Sequence, residues 1–148
     1  MKIVKKNIID CILFSFKEVN YLLPSVAFAE LGIQADIKKY HDIPVIGLMD
    51  WRGYNLPVVL PDLSDDYPDV KTNYAVINAL FLNKSVVPYF GLIIDSHPSR
   101  MRLRPQEISW IDEKMQLALC TKDGMLPKEV IIVDLQKFSS SLNTFLNN

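Results

Sequence analysis

The sequence predicts a mostly β protein, built as two small and similar subdomains on a shared core and closed by one C-terminal helix. Three observations lead there. Short β-prone runs recur at close spacing along the chain, a rhythm that favours barrels or sandwiches. A weak internal repeat sets Arg52-Gly53-Tyr54-Asn55-Leu56-Pro57, leading into Val58 to Leu60 and Asp62-Leu63, beside Asp123-Gly124-Met125-Leu126-Pro127, leading into Val130 to Val133 and Asp134-Leu135. Finally, Leu135, Phe138, Leu142, Phe145 and Leu146 fall on helical spacing behind Asp134, a good N-cap. The expected division is 8–69 for the first β-subdomain, 70–134 for the second and 135–146 for the helix.

Taken in order, Ile8 to Phe16 and Tyr21 to Val26 form an opening hairpin, with Lys17-Glu18-Val19-Asn20 as its loop. Ala27 to Leu31 reads as a brief helical or irregular turn closed by Gly32, and Ile33 to Asp42 as a polar connector. The central hairpin follows. Two apolar runs, Pro44 to Trp51 and Leu56 to Leu60, flank Arg52-Gly53-Tyr54-Asn55, where Gly53 can supply the positive φ of a tight reversal. Pro57 removes a ladder donor and points to an edge or a bulge. Pro61 to Asp69, with two prolines and four aspartates, is the clearest composition break and reads as a loop.

Asn73 to Asn83 is apolar on both alternating faces, the pattern of a strand buried on both sides, and Val86 to Asp95 returns as its partner. Arg100, Arg102 and Arg104 alternate with Met101 and Leu103, so a strand would carry three guanidiniums on one face: a solvated face, or a patch for an acidic partner. Pro105 to Lys114 is read as a short helix or loop. Met115 to Thr121 and Met125 to Val133 flank the turn signal Lys122-Asp123-Gly124.

A chain of 148 residues with 16 Lys and Arg against 17 Asp and Glu has no basic field with which to hold nucleic acid or an anionic membrane. Nor does any apolar run approach the roughly 18 residues of a membrane span, so a cytoplasmic protein is expected. A resemblance to a secretory signal at the start is broken by Asp10, Lys17, Glu18 and Asn20. Cys11 and Cys120 both lie in apolar runs, where free cysteine behaves as a small core hydrophobe.

Five scattered glycines cannot build a phosphate or dinucleotide loop, and neither zinc spacing nor a nucleophile elbow is present. Asp95-Ser96-His97 contains the residue types of a hydrolase triad, but consecutive residues point apart and cannot relay a proton, so it reads as a turn. His41-Asp42 has no nucleophile signal beside it. A metal site from His41, His97, Cys11 and Cys120 would need four scattered residues to converge, and no cofactor or metal is expected. Trp110 is read as a core aromatic; Trp51, beside a hairpin tip, is equally a core residue or an interface anchor. Arg52, a cation between two apolar runs, needs either a carboxylate partner nearby or a reason to sit at the surface. The residues thus describe a non-catalytic interaction module, with a generic β-barrel protein- or ligand-binding domain as the alternative.

Tyr21-Leu22-Leu23-Pro24-Ser25-Val26-Ala27-Phe28-Ala29-Glu30-Leu31, followed by Ile46-Gly47-Leu48-Met49-Asp50-Trp51-Arg52-Gly53 and Leu56-Pro57-Val58-Val59, resembles the CheW-like coupling domains of bacterial chemosensory systems. Tyr89 to Asp95 is similar to that family's second-half strand and Val130 to Leu135 to its closing strand. The resemblance implies two five-stranded SH3-like barrels and a non-catalytic adaptor joining a chemosensory histidine kinase to methyl-accepting chemoreceptors. The Asp50-Trp51-Arg52-Gly53 variant, where the family usually has Asn-Leu before Arg-Gly, is similar to the branch serving type IV pilus systems and twitching motility. By the family pattern, Glu30 and Arg52 match a carboxylate and a guanidinium used in coupling. The partner-binding residues expected are Glu30, Trp51, Arg52, Gly53, Tyr54, Arg100 and Arg102, with Glu30 and Arg52 within ion-pair reach.

Overall fold

The computed structural model describes residues 8–32, 37–39, 45–63, 73–80, 88–122, 124, 126–138 and 142. Strands β1 (Ile9–Phe16) and β2 (Val19–Pro24) form the opening hairpin, and a 3-10 turn (Ser25–Ala27) leads to β3 (Phe28–Gly32) and β4 (Lys38–Lys39). The central hairpin is β5 (Val45–Trp51) and β6 (Tyr54–Val59); β7 (Asn73–Asn78) and β8 (Tyr89–Ile94) follow. The remaining strands are β9 (Ser99–Leu103), β10 (Ile108–Asp112), β11 (Leu117–Cys120) and β12 (Lys128–Ile132), with a second 3-10 turn (Pro105–Glu107) between β9 and β10. Residues 135–138 and 142 are helical, and the rest of the expected 135–146 helix lies outside the described residues.

Both tight hairpins use the same device. Phe16 pairs with Val19 and Trp51 with Tyr54, so each reversal has two residues, and all four carry positive φ: Lys17 50°, Glu18 65°, Arg52 53° and Gly53 77°. Such mirror-image turns match the right-handed twist of the flanking strands. The first loop is therefore two residues where four were expected. Lys17-Glu18 has no glycine, and its strained backbone is held from outside: Lys17 N donates to Asp95 Oδ2 at 2.5 Å, Ser15 N donates to Ser96 Oγ at 2.8 Å and Asp95 N donates to Ser15 O at 2.8 Å. Asp95 and Ser96 are thus engaged in bracing a hairpin, as their reading as a turn implies.

The strands form two six-stranded sheets, ordered β10-β11-β12-β2-β1-β9 and β3-β7-β8-β6-β5-β4. Among the described residues each sheet has six strands, and the two sheets interleave along the chain. All of β3 to β8 is inserted between β2 and β9, and the opening hairpin and the last strand share one sheet through parallel pairing of β12 with β2, Ile131 opposite Tyr21 and Ile132 opposite Leu22. Three segments read as turn, loop or connector contain strands, β3, β4 and β10. Pro57 lies in an interior strand rather than at an edge; the parallel ladder from β6 to β8 begins only at Val58, so the missing donor is not called on there. The expected strand buried on both faces is β7, with Ala75, Val76 and Ile77 all buried in sequence.

Alternation along the shared strands builds two cores from one hairpin. Tyr21 and Leu23 of β2 face a large core with Phe14, Phe16, Leu56, Phe90 and the helical Leu135, Phe138 and Leu142, while Leu22 faces a smaller core with Cys11, Met101, Leu103, Ala118, Cys120 and Val130. Asp134 caps the helix, its Oδ1 accepting Lys137 N at 3.1 Å. Both cysteines are free and buried in the smaller core, as the sequence predicts.

Candidate partner-binding site

Glu30 sits on β3, an edge strand, and β5 lies four places away across the same sheet. Their side chains nonetheless meet, so the sheet curls until its β3 edge reaches the tip of the β5–β6 hairpin. Three residues make the contact. Trp51 Nε1 donates to Glu30 Oε2 at 2.5 Å, and Arg52 Nη2 donates to Glu30 Oε1 at 3.1 Å. Local irregularities aim both sides: opposite β7, Phe28 pairs with Ile77 but Glu30 with Val76, which makes Ala29 the extra residue of a bulge, and bulges re-aim side chains. On the other side, the left-handed backbone of Arg52 folds its guanidinium back over its neighbour, 5.2 Å from the Trp51 ring centre.

Trp51 is half-buried, and its ring packs against Tyr89 of β8 at 5.0 Å between centres and a 52° tilt. Arg52 is 70% exposed and Glu30 38% exposed at the side chain. The indole N–H first, and the guanidinium second, hold the Glu30 carboxyl below the ordinary glutamate range. Burial, with the Glu30 charge behind it, pushes the Tyr74 phenol up. Gly53 forms the exposed tip, with nothing within 4 Å of where a Cβ would stand, and Tyr54 lies half-buried opposite Trp51.

Glu30, Trp51, Arg52, Gly53 and Tyr54 are thereby brought to one corner. Arg100 and Arg102 are not part of it: they lie on β9, the edge of the other sheet, 68% and 67% exposed, sharing Asp10 of β1 at 3.3 and 3.8 Å. Sequence reasoning missed Asp10 and Tyr89 as members of these two clusters. It also placed Trp110 in the core. Trp110 is 48% exposed and borders an apolar hollow of about 210 Å³ inside the first sheet, lined by Ile9, Cys11, Leu103 and Ile108. Trp110 stands on β10, which is an edge strand of its sheet among the described residues. His97 is exposed in the turn after Ser96, whereas His41 lies outside the described residues. Among the described residues no helix is long and apolar enough to cross a membrane.

The chain is similar in structure to the crystal structure of the scaffolding protein TtCheW from Thermoanaerobacter tengcongensis, with a TM-score of 0.60 over 84% of this chain and 88% of that one. The fold is CheW-like. Identity over the match is 19%, and neither a protein-family model nor a curated protein matches the sequence. In a CheW-like frame, the Glu30 to Arg52 corner belongs to the inserted sheet and the Arg100 and Arg102 edge to the sheet built from both chain ends.

Proposed function

We propose that this chain is a cytoplasmic, non-catalytic adaptor that couples a chemosensory histidine kinase to a methyl-accepting chemoreceptor, with the Glu30–Trp51–Arg52 corner as a docking surface. The observation that carries the reading is the exposed Arg52 guanidinium, seated on the Trp51 ring and tied to Glu30. These are the two charged positions that the family resemblance links to coupling, and Arg and Trp are the residue types enriched where binding energy concentrates. The CheW-like fold supports an adaptor over an enzyme. Gly53 and Tyr54 extend the surface, and Arg100 and Arg102 form a second, basic edge for an acidic partner. The Asp50-Trp51-Arg52-Gly53 variant, similar to the branch serving type IV pilus systems, supports twitching motility as the output of the system.

The apolar hollow beside Trp110 favours the second reading, a protein- or ligand-binding module outside chemotaxis. A pull-down from native lysate, run in parallel with wild-type protein and Arg52→Ala, separates the two. Recovery by wild type alone of a histidine kinase bearing its own CheW-like domain is the expected result. Equal recovery by folded Arg52→Ala would move the docking surface away from this corner, and recovery of no kinase would favour the second reading.

A further inference from the structure

We infer that Trp51 is the positioning residue of this corner: its indole N–H fastens one oxygen of Glu30, so that Arg52 spends a single N–H on the other oxygen and keeps the rest of its guanidinium for a partner. The inference rests on the coupling role proposed above, but its first half can be read in the protein alone.

A carboxylate facing an arginine ordinarily forms a two-point fork, with both oxygens on the guanidinium. That is not what is seen here. Oε2 of Glu30 is taken by Trp51 and Oε1 by Arg52 Nη2, which leaves Arg52 one hydrogen bond out of its five N–H donors among the described residues. The indole cannot readily turn away, because its ring is half-buried against Tyr89 and carries the guanidinium on its face. A side chain without a ring N–H at position 51 would free Oε2, and Glu30 would close the fork. The donors of Arg52 would then turn inward toward β3 and the partner would meet a neutralised pair. In this chain the residue at 51 therefore sets how much of Arg52 is presented. Glu30 faces Trp51 and Arg52 from the hairpin and Tyr74 from β7, so its titration reports on this arrangement.

The test uses the full chain and begins without any partner. In wild-type protein the Trp51 indole N–H resonance, assigned by comparison with Trp110→Phe, is followed by NMR as pH falls from neutral. It is expected to shift with a midpoint below the ordinary glutamate value, and to lose that dependence in Glu30→Gln. In parallel, the Glu30 carboxyl carbon is titrated in Trp51→Phe and Arg52→Gln, with the larger upward move of its midpoint expected for Trp51→Phe. An indole signal indifferent to Glu30, or a larger move in Arg52→Gln, would overturn the inference; the indole arm stands even if Trp51→Phe fails to fold. The second half uses the kinase recovered by wild-type protein as probe. Folded Trp51→Phe, which keeps an aromatic shelf under Arg52, should bind it roughly tenfold more weakly. Equal affinity would show that the indole does not serve docking. If wild type captures no kinase, the coupling role fails and the presentation of Arg52 to that partner fails with it, while the NMR arms still decide whether Trp51 holds Glu30.

Discussion

Glu107→Ala tests the tightest corner of the first sheet. Glu107 ends the 3-10 turn Pro105–Glu107 and is only 6% exposed, the single buried charged residue among those described. Its Oε1 accepts the backbone N–H of Arg104 at 2.7 Å and the Arg104 Nε at 3.4 Å, and its own carbonyl accepts Thr121 N at 2.7 Å. The corner therefore ties the end of β9 to the start of β10 and the end of β11. A hydrogen bond to a charged group contributes about 1.5–3 kcal/mol, whereas the ion pair to the half-exposed Arg104 side chain adds little. Truncation should then cost about 2–3 kcal/mol, because the deserted Arg104 N–H is only partly buried and water can reach it. For a domain of this size each kcal/mol moves the melting temperature by about 2–4 °C, which gives a fall of about 4–12 °C. Differential scanning calorimetry on the purified chain measures it, with Glu107→Gln, which keeps the acceptor and loses the charge, expected to fall by about half as much. A Glu107→Ala protein melting within about 1 °C of wild type would refute the reasoning, since the corner would then be held by the strands alone.

Three further outcomes are expected. Asp134→Ala should lower stability by about 1 kcal/mol in urea melts, because it removes the cap on Lys137 N from the helix that carries Leu135, Phe138 and Leu142 into the large core. Stability should fall on the alkaline side: burial, chiefly, raises the Cys11 thiol from 9.0 to about 11, so the protonated form favoured by the fold stabilises fully below pH 9 and that contribution, about 2–3 kcal/mol, is lost as pH rises through 11, with a shallower decline in Cys11→Ala. Burial also raises Tyr21 from 10.0 to about 12, which extends the same decline and makes urea midpoints near pH 7.5 and 10.5 the comparison to run. Arg52→Ala should leave the melting temperature unchanged, since exposed pairs often contribute nothing measurable, while abolishing kinase capture; a large drop in melting would mean that any loss of binding merely reports unfolding.

Most strands were legible because their apolar residues follow a period of two or run unbroken, as in β5, β7 and β8. Of those that were missed, β4 is only two residues long, and β3 and β10 lack that signal for physical reasons. β3 contains a bulge at Ala29, which breaks alternation, and Gly32, whose missing Cβ leaves room for the Tyr74 ring to lie over it. In β10 the central residues Ser109, Trp110 and Ile111 are all exposed, so no buried face exists for a pattern to mark. The exchange of partners between sheets was illegible for a different reason. Pairing of β12 with β2 involves residues over a hundred positions apart, and nothing local in either strand names its neighbour. At the site, the residues asked of Arg52 either a carboxylate or a place at the surface, and the family resemblance supplied Glu30 as the carboxylate. The indole N–H as the leading partner of Glu30 could not be read from either, because it depends on the sheet curling until its edge meets a hairpin tip.

The adaptor role proposed above needs two surfaces held at a fixed spacing, and the way β1 and β2 are shared supplies a physical basis for that spacing. Phe14 and Phe16 of β1, with Tyr21 and Leu23 of β2, are buried in the large core beneath the inserted sheet. Cys11 of β1 and Leu22 of β2, from the same two strands, are buried in the core of the other. Sliding one sheet over the other would have to break contacts in both cores together, since a strand cannot move its odd residues without its even ones. The Arg52 corner hangs on the first of these cores through Trp51, which packs against it, and the Arg100 and Arg102 edge hangs on the second through Met101 and Leu103. Both surfaces are fixed to the same hairpin. A substitution at Leu22 or Leu23 should therefore loosen the spacing between the two proposed docking surfaces while touching neither.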